Sequence, residues 1–527
     1  MGNKGRILVQ DLSPIEADYI RRTPLEHRKF YAQFFTPISL ADVMVDWLVK
    51  KDDLVSILEP AFGLGVFSRC LMRRKEKLDV KGFEIDDNIL QESKKLYGTK
   101  INLLHQDYMY NDWDNKYDGI ICNPPYFKFH DYDNKKVIEE IETRLSCKLN
   151  GFTNLYTLFL LKSIHQLKPG GRCAYIVPSE FLNSDYGALV KHHLLKTRAL
   201  RHIIVFNFEE SLFEDALTTS CLVLCENGTD CDTVRFTALP ALKGSELIKR
   251  CVNGDIPDDV FSRIYAFSDI DPDIKWRKYY QESNVYRYSN LVPFSLYAKV
   301  MRGIATGAND FFVFNKGKAV EQGINEEHLL PCVCKCADVK GPLFTEKDFL
   351  KLRNEDKNVY LLDAVGTEDE NILKYLKMGI SKGIDKKYLT SSRNPWYALE
   401  NRPPSPIWVT VFNRKGLRFI RNLAGVHNLT TFHCVYPKHT LYNDVSDDLL
   451  FAYLQTDIAK EIFADNCREY GNGLQKFEPN DLNKGMMLDI ALLPDNEKQR
   501  IEAMVNDSPS SLPVKEIEEI LLNYFLS

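Results

Sequence analysis

Tyr117-Asp118-Gly119-Ile120-Ile121-Cys122 runs directly into Asn123-Pro124-Pro125-Tyr126, and these ten residues decide how the chain is read. The first six are an apolar run of strand length. Open α/β sheets place their ligands at strand ends, so the next four residues stand where chemistry is done. The Asn123 side-chain oxygen and the Pro124 backbone carbonyl are two hydrogen-bond acceptors in close succession. Such a pair suits an amine like the exocyclic N6 of adenine, whose lone pair is delocalised into the ring; accepting from both N–H groups favours a pyramidal, nucleophilic nitrogen. Tyr126 adds a flat face on which a base drawn out of a duplex can stack. Taken alone, the four letters describe a proline-stiffened turn with a packed tyrosine equally well. The strand ahead of them favours the chemical reading.

Outward from this point, the first 225 residues alternate short β-branched runs with amphipathic helical patterns, the rhythm of an α/β domain. Candidate strands are Leu54 to Leu58, Val80 to Ile85, Ile101 to Leu104, Tyr117 to Cys122, Arg172 to Val177, His202 to Phe206 and Thr218 to Cys225. They imply a Rossmann-like, doubly wound sheet of seven strands with helices on both faces, its last strand antiparallel. Three acids close successive strands: Glu59 before the Gly-rich turn Ala61-Phe62-Gly63-Leu64-Gly65, then Glu84, then Asp107. Gly63 and Gly65 let the backbone approach a ligand closely. Glu84 stands where a carboxylate can accept both hydroxyls of a ribose. Each acid alone reads as a solvated loop residue, but three in this order read as a nucleoside site.

The chain at this point resembles the gamma class of amino-methyltransferases, typified by the TaqI adenine methyltransferase, over roughly residues 30 to 225. The resemblance adds Phe34-Phe35-Thr36-Pro37 ahead of an amphipathic helix Leu40 to Val49, with Thr36 expected as its N-cap and Pro37 as its first residue. It also takes in Leu155-Tyr156 through Leu167-Lys168-Pro169-Gly170-Gly171-Arg172 and the strand ending Val177-Pro178-Ser179. It implies S-adenosyl-L-methionine as cofactor, lined by Phe35, Thr36, Glu59, Ala61, Gly63, Glu84, Ile85 and Asp107, with Asp107 at the cofactor's adenine. It implies Asn123, Pro124 and Tyr126 as catalytic residues acting on a flipped adenine of double-stranded DNA, and Phe213 as the aromatic residue beside that base. Phe213 read without the resemblance is a buried anchor of the following strand.

Length and composition fit this picture. A chain of 527 residues needs two or three cores, and the strand–helix rhythm becomes irregular from about Gly254. The expected division is therefore a catalytic domain over 1–265 and a second, α+β domain over 280–527. Its opening, Gly303-Ile304-Ala305-Thr306-Gly307-Ala308-Asn309, and Asn394-Pro395-Trp396-Tyr397 further on resemble the target-recognition domain of the TaqI type. From Lys374 to Arg421 eleven Lys or Arg face two acids, an excess of +9 against −5 for the whole chain. Trp396, Tyr397, Trp408 and Phe412 are interleaved with them, a combination suited to phosphate and base contact. Lys386 and Lys387 are the expected phosphate contacts, and Arg393, Arg414 and Arg418 the candidates for reading bases; a merely solvated basic face is the alternative.

No run approaches the ~20 apolar residues needed to span a bilayer, and Met1 to Arg6 carries no signal-peptide core, so no membrane association and a cytoplasmic location are expected. Thirteen scattered cysteines read as reduced thiols. Cys332, Cys334 and Cys336 lack the paired spacing of a zinc site, so no metal is expected. Pro331-Cys332 lies too far along the chain, without a following Gln, to be the nucleophile of a cytosine C5 enzyme. The resemblance leaves amino-methyltransferases of RNA or of a protein glutamine as alternatives. A cytosine-N4 enzyme usually carries Ser in place of Asn123, and intact acids argue against a module that only binds DNA. About 30 residues before the catalytic region leave no room for a nuclease, so the chain reads as a modification enzyme, either with a separately encoded restriction endonuclease as partner or as a solitary regulator.

Overall fold

The computed structural model describes residues 12–526 apart from 52, 129, 207–218, 229, 240–243, 282–286, 401, 415, 440–444, 471–473 and 508–511. The chain divides into two compact units, 1–282 with 468–474, and 283–467 with 475–527.

The first unit is built on one sheet. Its strands are β1 (Ser56–Glu59), β2 (Asp79–Glu84), β3 (Asn102–His105), β4 (Tyr117–Cys122), β5 (Leu167–Pro178), β6 (Leu200–Phe206), β7 (Ser220–Glu226), β8 (Thr233–Leu239) and β9 (Phe261–Ala266). They lie in the order 3-2-1-4-5-7-6-8-9. The strands from β3 to β5 are mutually parallel, and β7 runs antiparallel to both its neighbours, β5 and β6. β4 is central and buried along its whole length. Ile120 and Cys122 enter the core on one face of the sheet, while Ile121 enters the core on the other. Burial on both faces is why this strand reads as a continuous apolar run rather than an alternating one.

Two strands extend the sheet beyond the seven expected. Thr233–Leu239 buries Val234 and Phe236, and Phe261–Ala266 pairs with it at the sheet edge. The segment after β9 also packs into this unit. Trp276 and Tyr280 are fully buried, and Trp276 meets Phe236 edge-on at 5.5 Å. That aromatic packing carries the first unit to residue 282, past the expected 265.

The expected Thr36 cap is also corrected. The helix is Ile38–Val49 with Pro37 at the N-cap, and the Thr36 hydroxyl turns to Asn123 instead. In the second unit an antiparallel core of Ala298–Arg302, Phe432–Pro437, Ile407–Thr410 and Phe419–Asn422 is flanked by helices. The expected helix 447–466 is two, Asp447–Gln455 and Asp457–Ala464. Thr456 ends one and caps the next through its hydroxyl, which accepts from the Ala459 N–H.

Candidate active site

The C-terminal ends of β1, β2, β3 and β4 converge on a cavity of about 370 Å³. Phe35, Thr36, Glu59, Ala61, Gly63, Glu84, Ile85, Asp107 and Asn123 all line it. The turn after β1 makes this possible. Gly63 and Gly65 sit at φ +54° and +69°, and a Cβ on Gly65 would come within 2.5 Å of the Phe62 ring, so only glycine fits there.

The acids differ in their surroundings. Glu59 is 1% exposed and accepts from the Ser68 hydroxyl at 2.5 Å; burial pushes its carboxyl up to about 8. Glu84 accepts from the Gly63 N–H at 3.0 Å through one oxygen and from those of Ile85 and Asp86 at 2.8 and 2.9 Å through the other. Burial still holds it above the usual carboxylate range. A carboxylate offers about four lone pairs, so acceptor capacity toward the cavity remains. Asp107 caps the short turn Tyr108–Tyr110 by accepting from the Met109 N–H at 2.8 Å through Oδ1.

Asn123 is held at the mouth of β4. Its Nδ2 donates to the Phe34 carbonyl at 2.8 Å and to the Thr36 hydroxyl at 3.1 Å. A backbone carbonyl can only accept, so the nitrogen must face it. Oδ1 is left buried with no hydrogen-bond partner among the described residues. A buried acceptor without a donor costs about 1–3 kcal/mol, and here it belongs to a residue that lines the cavity.

The neighbouring residues differ from expectation. Pro125 and Phe127 line the cavity; Pro124 and Tyr126 do not. The Tyr126 ring lies parallel to Phe34 at 5.7 Å and edge-on to Tyr156 at 6.2 Å, with its hydroxyl donating to the Ile176 carbonyl. Phe34 thus packs on one face of the ring to which a stacked base was assigned. Phe213 lies outside the described residues.

Sequence reasoning missed one wall altogether. Glu16, Tyr31, Ala32 and Gln33 line the cavity from the segment ahead of the sheet. Glu16 is buried against Arg69 at 2.5 Å, and Gln33 and His27 reach Asp86 at 2.6 and 2.8 Å. No periodicity announces these contacts.

In the second unit Lys386, Lys387, Arg414 and Arg418 are exposed. Arg418 donates to the Val339 carbonyl at 2.8 Å, and Arg393 to the carbonyls of Ala305 and Thr306. Both guanidinium groups therefore serve the unit's own backbone. Trp408 is fully buried and stacked on Phe432, which removes it from the expected surface aromatics. Phe412 at 56% and Tyr388 at 89% are exposed. A cavity of about 700 Å³ in this unit is lined by Thr306, Gly307, Lys387, Leu389 and Phe412 among others.

Comparison with known proteins accords with this geometry. Residues 54–213 match the family Eco57I restriction-modification methylase, and residues 277–522 match the C-terminal domain of Type II methyltransferase M.Eco57I. The chain is 56% identical to the Type II methyltransferase M.AccI of Acinetobacter calcoaceticus over 494 residues, 93% of this chain and 91% of that protein. It is 23% identical to M.XamI of Xanthomonas campestris pv. amaranthicola, over 90% of this chain and 91% of that one. Among solved structures, the Type IIL restriction-modification enzyme MmeI in complex with DNA shares the fold. That match has a TM-score of 0.55 at 12% identity and covers 92% of this chain and 70% of that chain. With one relative this similar along nearly its whole length, and family matches to both halves, the chain belongs to the Eco57I-type restriction-modification methylases, the DNA methyltransferases of Type II systems.

Proposed function

We infer that the chain methylates the exocyclic N6 of an adenine within a short DNA sequence, using S-adenosylmethionine. The observation that carries this reading is Asn123, a residue of the cavity lining whose amide nitrogen is engaged on both hydrogens and whose oxygen is buried with no partner among the described residues. In this reading that oxygen accepts one N–H of the target amine and the carbonyl of Pro124, the next residue and itself outside the cavity lining, accepts the other, which concentrates the lone pair on nitrogen. The donor set fits the cofactor, since buried Glu59 suits an ammonium, while Glu84 and Asp107 suit ribose hydroxyls and an adenine amino group. S-adenosylmethionine, when bound, supplies an electrophilic methyl group on sulfur. Asn123 and Pro124 would hold the target nitrogen with its lone pair turned toward that methyl group, whose transfer would leave the C–S bonding pair on sulfur as a thioether and the displaced amine proton to solvent.

The second unit is the DNA-recognition domain in this reading, with Lys386, Lys387 and Arg414 on phosphate or base edges beside exposed Tyr388 and Phe412. A separately encoded restriction endonuclease of the same specificity is the natural partner of such an enzyme. Among the described residues no helix is long and apolar enough to cross a membrane, and a DNA substrate suits a cytoplasmic location. Incubation with methyl-labelled S-adenosylmethionine and DNA, followed by nucleoside analysis, tests the assignment. Label in N6-methyl-2′-deoxyadenosine is expected; label in N4-methyl-2′-deoxycytidine, or transfer to RNA or protein and not to DNA, overturns it.

A further inference from the structure

Lys162 lies inside the first unit, on the helix Leu155–His165, and is 0% exposed. An ammonium removed from water must find its partners within the protein. Lys162 Nζ donates to the carbonyls of Tyr108 and Asn111, and it stands 4.0 and 4.3 Å from the ring centroids of Tyr108 and Trp113. Those two carbonyls bracket the turn Tyr108–Tyr110, whose cap is Asp107. Asp107, Tyr108, Met109 and Tyr110 all line the cavity on its other side. Further bonds tie the same turn inward, with the Tyr108 hydroxyl on Gln166 at 2.6 Å and on Ser163 at 2.9 Å.

We propose that Lys162 is a positioning residue for the adenine end of the cofactor pocket, drawing two carbonyls inward so that the Asp107–Tyr110 turn presents its carboxylate to the ligand. This rests on the reading of the cavity as the S-adenosylmethionine site with Asp107 at the adenine. The ammonium is costly where it stands: burial lowers its pKa to about 7. A methionine would fill the same volume without that cost, so packing alone gives no reason for a lysine there.

Full-length Lys162→Met, Lys162→Arg and Asp107→Ala proteins test this by calorimetric titration with S-adenosylhomocysteine and with 5′-methylthioadenosine, which lacks the amino-acid end. Lys162→Met should weaken both ligands alike, by about tenfold or more, as a misplaced turn does. Lys162→Arg, which keeps a charged donor, should recover most of that loss. In turnover, the KM for cofactor should rise while kcat at saturation holds. If Lys162→Met does not fold, Lys162→Gln carries the same test with a neutral donor. Unchanged affinities in the Lys162 variants, with Asp107→Ala weakened, overturn the proposal and leave the pocket reading standing. Unchanged affinities in Asp107→Ala as well overturn the pocket reading itself. Loss confined to S-adenosylhomocysteine also overturns the proposal, because it moves the effect to the amino-acid end.

Discussion

Replacing Glu59 by glutamine should remove a pH dependence of stability that the wild-type protein carries. The Glu59 carboxyl is sealed from water, and burial raises it to about 8 from 4.5, against the Ser68 hydrogen bond and the Arg69 charge, which pull the other way. The folded protein therefore keeps a proton that the unfolded chain has already released. Stability from this group is full below pH 4.5 and is lost as pH rises through about 8. At about 1.4 kcal/mol per pH unit the whole loss is about 5 kcal/mol, roughly half of it between pH 6 and pH 8. Glutamine keeps the shape and does not titrate. Thermal unfolding of the ligand-free proteins reads the difference: between pH 6 and pH 8 the wild-type Tm should fall by about 3–5 °C more than that of Glu59→Gln. Calorimetry with S-adenosylhomocysteine adds a second arm. An ammonium beside Glu59 favours the carboxylate, so wild-type affinity should climb over that interval while the variant's stays level. Parallel Tm curves for the two proteins would refute the buried acid, and a level wild-type affinity would refute the ammonium beside it.

Asn123→Ala should lower kcat by more than about 100-fold, because the lost acceptor acts on the target nitrogen in the transition state. Its affinity for S-adenosylhomocysteine should hold, and activity within tenfold of wild type would sink the mechanism. Glu84→Ala should weaken cofactor binding by about 1.5–3 kcal/mol, the worth of a hydrogen bond to a charged group; an unchanged dissociation constant moves the ribose contact elsewhere. Gly65→Ala should reshape the turn after β1 and cost about 1–3 kcal/mol of stability, since its φ of +69° and the nearby Phe62 ring leave no room for a methyl group. Neutralising Lys386 and Lys387 together should weaken every DNA sequence alike and reduce the slope of log K against log salt by about 0.9 for each phosphate that is no longer neutralised. A weakening confined to one recognition sequence would instead make them base readers.

The heart of the first unit was legible because its signals are local. β4 is apolar but for Asp118 and buried throughout, so Asn123 could be assigned to a strand end, and Glu59, Glu84 and Asp107 were found by the same rule. β8 and β9 were not found, because what makes strands of Thr233–Leu239 and Phe261–Ala266 is their pairing with β6 and with each other at the far edge of the sheet. Trp408 was misread for a related reason: an aromatic residue inside a basic run looks like a surface residue, and only the pairing of Ile407–Thr410 between two other strands buries it. Glu16, Gln33 and Lys162 were illegible, since each owes its role to a partner 53 or more residues away in the chain. The neighbours of Tyr126, Phe34 and Tyr156, were equally illegible, since they lie 92 and 30 residues away.

An asparagine amide is nearly symmetric in outline, and half a rotation exchanges its acceptor for a donor. At Asn123 the sense of that rotation is set by a main-chain carbonyl 89 residues earlier, a group that no substitution at position 34 can delete. A catalytic fragment trimmed to begin at β1 would retain the sheet and every acid on it, yet leave this amide free to turn. With the nitrogen outward, the same pocket would greet an amine with two hydrogens and prefer a ring nitrogen or a carbonyl. The chemical polarity of the strand end thus belongs to the segment threaded across it, and minimised or circularly permuted versions of the fold must carry Phe34 to Thr36 with them to stay the same kind of enzyme.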